Sequence, residues 1–173
     1  VTKTGESTWE NDQLLLLDRH GYLEETYWTY SYSPIRNDNG KIIGVFSVVK
    51  ETTGEVINDR HLRMLREMGQ QIVDVKKTDQ VYEKCLQIIK RNTFDFPFIS
   101  FYRICRDGSG AELIDSAGIT KENTSIPGKL EFTDNKIGSR NFLKCYNTNK
   151  PVMVHDLQSR LGKLPGGYWE AAP

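Results

Sequence analysis

The chain has 173 residues, with 23 Lys/Arg against 23 Asp/Glu, 38% hydrophobic and 27% charged residues, and a mean hydropathy of −0.54. A formal net charge of zero removes the simplest case for nucleic-acid binding, which needs a basic footprint to neutralise phosphates, and argues against a polybasic membrane-surface protein. The longest apolar run, Leu14–Leu17, falls far short of the roughly 20 residues of a membrane span.

Strand signals fill the first 53 residues. Leu14–Leu17 gives way at Asp18 to the turn-like Arg19-His20-Gly21,. From Tyr22 to Ile35 the chain alternates, placing Trp28, Tyr30 and Tyr32 on one face and Tyr27, Thr29, Ser31 and Ser33 on the other,. Pro34 has no backbone donor and belongs near a strand end or at an unpaired position. Arg36–Gly40 is a turn, and Lys41–Thr52 is a third strand with Ile43, Val45, Ser47 and Val49 alternating against Ile42, Phe46 and Val48,. Three antiparallel strands in succession make a meander.

At Gly54 the period changes to that of a helix. Asn58, His61, Leu65, Met68, Ile72 and Val75 recur at steps of three and four, the spacing of a parallel coiled-coil seam or of an amphipathic helix packed on its own domain. Gly69 is a soft spot costing roughly 1 kcal/mol relative to Ala. Thr78-Asp79 reads as a fresh helix start with a short polar cap, followed by an apolar stripe of Val81, Cys85, Leu86, Ile88 and Ile89. Strands are expected over Phe94–Ile104 and Glu112–Ile119 with the turn Arg106–Gly110 between them. A short helix is expected over Ser139–Tyr146, a short strand over Pro151–Asp156, and a loop over Leu164–Trp169. So few strands predict that the second half leaves its helical stripe incompletely buried.

Val1–Glu6 lacks the apolar core of a signal peptide, and three widely spaced cysteines, Cys85, Cys105 and Cys145, suggest neither a disulfide framework nor a zinc motif,. A reducing, cytoplasmic setting fits that usage. The lack of an initiating Met and the final Ala171-Ala172-Pro173 predict a fragment of something longer.

Two stretches carry a family resemblance. Leu14-Leu-Leu-Leu-Asp18-Arg-His-Gly21 through Tyr27-Trp-Thr-Tyr-Ser-Tyr-Ser-Pro-Ile35, then Asn37-Asp-Asn-Gly-Lys-Ile-Ile-Gly44 through Glu51-Thr-Thr53, resembles the last three strands of a PAS domain, as found in sensor histidine kinases of two-component systems. From about Gln80, the Phe96-Pro-Phe-Ile-Ser-Phe101 strand, the Asp107-Gly108 hairpin and Lys150-Pro-Val-Met-Val-His-Asp156 are similar to the start of a GAF domain. The resemblance implies an α+β chain: residues 1–53 a PAS-type three-stranded meander, 54–77 a signalling helix, 78–173 the beginning of a GAF-type sandwich. It further implies that Trp28, Tyr30, Tyr32, Ile43, Val45, Ser47 and Val49 face the PAS cavity. Glu51-Thr52-Thr53 would stand at the Asp-Ile-Thr junction with the exit helix. The acid there commonly pairs with an Arg a few residues on, for which Arg60 is the distant substitute in this chain.

Each candidate for chemistry has a plainer reading beside it. The aromatic stripe Trp28/Tyr30/Tyr32 suits a half-buried pleated core as well as a ligand pocket. The flavin-binding cysteine motif of light-sensing PAS domains lies in a part of that domain outside these residues, and no Asp-Ile-Pro-type bilin motif surrounds His155. His20, His61 and His155 have no metal-ligand spacing. Asp156 could orient His155, but no nucleophile is tied to it. Cys105 and Cys145 are expected to be buried, inert thiols. Leu161–Gly167 lacks the phosphate-loop pattern. Residues 1–60 carry six Lys/Arg against ten Asp/Glu and residues 61–92 seven against four, so a basic linker follows an acidic sheet.

The expected function is signal relay without catalysis or a built-in cofactor, in a two-component histidine kinase whose catalytic domains lie elsewhere. A homodimer would form along His61, Leu65, Met68, Ile72 and Val75, with strand exchange between copies as a second mode. The alternatives are a small-molecule module recognising, for example, a cyclic nucleotide, as in a cyclase or phosphodiesterase, and, more distantly, a redox or hydrolytic enzyme using Cys145 or His155.

Overall fold

A computed structural model describes residues 1–119, 126–133, 137–155, 157–162 and 164–169. The chain is α+β, with two antiparallel three-stranded sheets, and it divides into two units, Val1–Glu67 and Met68–Pro173.

In the first unit β1 (Thr8–Asp18), β2 (Leu23–Arg36) and β3 (Ile42–Glu51) pair in chain order. β1 starts six residues before its apolar run, because Trp9, Glu10 and their neighbours pair with β2 up to a bulge between Glu10 and Gln13. Asp12 sits in that bulge at φ 49°, a left-handed conformation that Asp tolerates better than most residues. Pro34 lies opposite Val45 of β3. The alternation of the ladder turns its nitrogen toward β1, which begins only at Thr8 opposite Tyr32, so the missing N–H removes no bond.

Register settles which side chains share a face. Tyr30 lies opposite Val49, Tyr32 opposite Ser47 and Pro34 opposite Val45, so Trp28, Tyr30 and Tyr32 stand on one face with Val45, Ser47, Val49 and Glu51. The fully buried Thr26 is on that face too. Its hydroxyl donates to the Leu15 carbonyl at 2.7 Å and accepts the Trp28 indole N–H at 2.9 Å. The opposite face carries Trp9, Ile35, Phe46 and Val48, all exposed.

Helix α1 (Thr53–Ile72) follows β3 with one residue between. It ends three residues before Val75, whose N–H makes only a turn bond to the Ile72 carbonyl at 3.1 Å. Val75 is therefore not part of a helical seam. No basic residue occupies the last turn to complement the helix dipole, and Asp74 just beyond it opposes that dipole.

In the second unit α2 (Thr78–Arg91) precedes β4 (Ile99–Ile104), β5 (Gly110–Ala117), β6 (Lys129–Glu131), α3 (Ile137–Thr148) and the short α4 (Leu157–Leu161). The N-cap of α2 is Lys77, with no side-chain cap, so Thr78 and Asp79 lie inside the first turn rather than capping it. Contrary to expectation the helical stripe is covered: Leu86, Ile88 and Ile89 are buried, with Ala111, Leu130 and Leu164 completing the core. Sequence reading missed β6, whose Leu130 lies opposite Ala111 and supplies part of that cover. β4 begins at Ile99 rather than Phe94, because Phe96 N–H bonds back to the Asn92 carbonyl and holds residues 93–96 in a turn. Trp169 closes over that turn, donating its indole N–H to the Phe94 carbonyl at 2.9 Å.

Among the described residues nothing pairs with 151–155 along a ladder, so the expected strand is not seen there, and Asp156 lies outside the described residues. Gly118 is required where β5 ends. Its φ is +73°, and a Cβ there would stand 2.1 Å from the Pro97 carbonyl oxygen,.

Candidate strand-to-helix junction

The polar side chains of the first unit converge where β3 passes into α1. Thr52, the residue between the two elements, is 5% exposed. Its N–H donates to the Tyr27 carbonyl at 2.8 Å, its own carbonyl accepts the Val56 N–H at 3.0 Å, and its hydroxyl donates to Asp12 Oδ1 at 2.7 Å. One residue thus joins the centre strand, the first helical turn and the β1 bulge. Asp12 is fixed in turn from β2, its N–H donating to Thr29 Oγ1 at 3.1 Å. A buried threonine with all its polar groups engaged is costly to move, because each abandoned partner would lose its bond away from bulk water.

Glu51 and Thr53 flank it. The Thr53 hydroxyl accepts the Tyr27 N–H at 3.0 Å and donates to Glu51 Oε1 at 2.9 Å. Glu51 also receives Arg19 from the β1–β2 turn, with Nη1 at 3.2 Å from Oε2. Arg19 bridges on to Glu24, Nη2 to Oε2 at 2.8 Å, and Glu24 bonds His20 as well. His20 first, then Arg19, holds the Glu24 carboxyl below its usual range against an opposing effect of burial. Hydrogen bonds to Glu24 and then Glu51 push the Arg19 guanidinium upward.

A second clasp binds the helix about two turns further along,. Arg60 meets Glu25 of β2 with both nitrogens, Nη1 to Oε1 at 2.6 Å and Nη2 to Oε2 at 3.2 Å. The Tyr27 hydroxyl donates to the same Glu25 Oε1 at 2.9 Å. Burial and then Glu25 raise the Tyr27 phenol, so it stays a donor at neutral pH. A bidentate arginine–carboxylate pair fixes direction as well as distance, and both side chains are largely covered, 21% and 15% exposed. Arg60 therefore serves β2 rather than Glu51, whose arginine is Arg19.

The structure brings Glu51, Thr52 and Thr53 together as one site. The other expected residues are more dispersed. Ile43 and Val49 are more than half exposed and Tyr32 and Val45 about 40%, while Trp28 and Tyr30 are half-buried. On α1, His61, Met68 and Ile72 are half-buried whereas Leu65 is 58% exposed. Leu62 joins Leu65 as an exposed apolar pair on α1.

Cys145 is exposed rather than buried, and Cys85 and Cys105 are half-buried. His155 is exposed and Asp156 lies outside the described residues. Among the described residues no group of three or more His, Cys, Asp or Glu is placed to hold a metal ion, and no helix is long and apolar enough to cross a membrane. Sequence reading missed Arg19, Asp12 and Glu25. The one available signal was that each lies in or beside an element already recognised as a strand.

No protein-family model matches the chain, and no curated protein matches it at a significant level.

Proposed function

We propose that this chain is a relay segment of a signal-transduction protein, in which the state of the first sheet is passed into α1 through Glu51, Thr52 and Thr53. The observation that carries this reading is the triple engagement of Thr52 with the centre strand, the first helical turn and the β1 bulge. A sheet distortion that moves Tyr27 or Asp12 must move the start of the helix or break bonds to a buried hydroxyl. The Arg60–Glu25 clasp gives the helix a second point of attachment, so the sheet sets both where α1 starts and how it is rotated. Relay of this kind needs two helix arrangements separated by only a few kcal/mol.

The resemblance of residues 1–53 to the end of a PAS domain and of residues 78–173 to the start of a GAF domain supports a sensory role. It favours a two-component sensor histidine kinase as the protein such a segment serves. The chemistry would then lie outside these residues.

A spin label on a cysteine at Leu65, an exposed position, reports the motion of α1. Glu51→Gln, which weakens the Arg19 and Thr53 contacts together, is expected to change the mobility of that label. A spectrum identical with and without Glu51→Gln would overturn the relay reading.

A further inference from the structure

The β1–β2 turn brings an imidazole into the polar network of the junction. Asp18 and Leu23 close the last rung of the ladder, and Gly21, at φ +87° with open space around it, lets the residues between them reverse,. Arg19 and His20 then reach the same carboxylate of β2 and divide it. Arg19 places Nε at 3.1 Å and Nη2 at 2.8 Å from Glu24 Oε2, while His20 Nδ1 bonds Oε1. On its other side Arg19 reaches Glu51, with Nη1 at 3.2 Å from Oε2, and Glu51 Oε1 accepts the Thr53 hydroxyl at 2.9 Å. A continuous line of contacts thus runs from His20, whose side chain is 67% exposed, to the first residue of α1.

We propose that His20 is a proton sensor for the junction, protonation of its imidazole tightening the hold of Arg19 on Glu51 and so on the start of α1. This rests on the relay reading and names an input for it. The charge count supplies the mechanism. With His20 neutral, one cation, Arg19, serves two anions, Glu24 and Glu51; with His20 protonated, two cations face the same two anions. Histidine is the side chain whose charge ordinarily changes between about pH 5 and 8. Glu24 stays ionised throughout that range, because His20 first and then Arg19 hold its carboxyl below the usual values,. An imidazolium bond to Glu24 Oε1 is charge-assisted and stronger than the bond from a neutral ring, so Glu24 then draws less on Arg19. The guanidinium sits nearer Glu24 than Glu51, 2.8 Å against 3.2 Å, which leaves room for the second contact to shorten. The hold is therefore firmest below the imidazole titration and slackens as pH rises through it.

The other groups around the turn are engaged elsewhere. Asp18 accepts the Gly21 N–H at 2.8 Å. Glu25 lies on the opposite face of β2 and is taken by Arg60, and Lys50 of β3 is paired with Glu55. The Tyr22 ring stands beside the imidazole, centroids 6.2 Å apart, and offers neither a carboxylate nor a cation.

The test follows the amide chemical shifts of Thr53 and Val56 in the whole chain from about pH 5 to 8. In the wild type both are expected to move through one sigmoid that coincides with the titration of the His20 ring protons. His20→Gln and Glu24→Gln, made separately, are each expected to abolish most of that movement, whereas His61→Gln leaves it in place. A movement that survives His20→Gln, or that is lost in His61→Gln, overturns the inference, since the titrating group would then lie on α1. The spin label on a cysteine at Leu65 separates this inference from the relay reading. Amides indifferent to pH, with a label that still responds to Glu51→Gln, overturn the sensor and leave the relay standing; amides and label both unresponsive overturn the two together.

Discussion

Arg60→Leu is expected to lower the stability of the first unit by about 2–3 kcal/mol, the range for a charge-assisted bond whose partner is left largely buried. The size follows from Glu25. Its carboxylate is 15% exposed and takes both guanidinium nitrogens together with the Tyr27 hydroxyl. With Arg60 gone it keeps one neutral donor and little water. Arg63→Leu, three residues on, is the matched control. Arg63 pairs with Asp59 across one helical turn, and both are largely exposed, a geometry worth about 0.3–0.5 kcal/mol. Denaturant unfolding followed in the first unit separates the two, with a clearly lower midpoint for Arg60→Leu and almost none of that shift for Arg63→Leu.

Leu86→Ala is expected to be the more damaging change, costing the second unit about 2–5 kcal/mol. Leu86 is 4% exposed and shares the core with Ile89 and Leu130. Next to it lies a groove of about 390 Å³ bounded by Tyr82, Phe101 and Ile114, so the deleted side chain enlarges an existing space and the walls have little to collapse onto. Val81→Ala, at the half-buried start of the same stripe, should cost clearly less. The comparison is made by thermal unfolding of the two variants, and similar losses would mean that the stripe is not the centre of that core.

Periodicity made the sheets and helices legible where both faces of an element were informative. Trp28-Thr-Tyr-Ser-Tyr-Ser alternates without interruption, and β2 and its register with β3 follow from it. The six residues that open β1 were invisible because Thr8–Gln13 is polar and bulged, and a bulge breaks the period on which strand reading depends. β6 is Lys-Leu-Glu, too short to show any period. In the opposite direction, Phe96, Phe98 and Val152–Val154 have strand composition, but composition supplies no partner strand, and those segments enter no ladder among the described residues.

The junction was legible only in part. Glu51-Thr52-Thr53 was found through family resemblance, whereas the partners that define its geometry are remote in sequence. Arg19 is 32 residues from Glu51, Asp12 is 40 from Thr52 and Glu25 is 35 from Arg60. Nothing local marks such pairs. The resemblance offered Arg60 only as a distant substitute partner for Glu51, and it meets Glu25 of β2 instead. The exposed Leu62 was passed over for a related reason. Steps of three and four lead from Asn58 to Leu65 through either His61 or Leu62, and spacing alone does not choose between them.

The central claim is that the sheet holds the beginning of α1, and a change made wholly in the sheet and read in the helix tests it most directly. Asp12→Gly suits this purpose, since glycine accepts the positive φ at the bulge, while the carboxylate that takes the Thr52 hydroxyl is removed. Amide hydrogen exchange is then followed residue by residue. The account predicts faster exchange at Val56 and the rest of the first helical turn, with the β2–β3 ladder still protected. Unchanged exchange throughout α1 would contradict it.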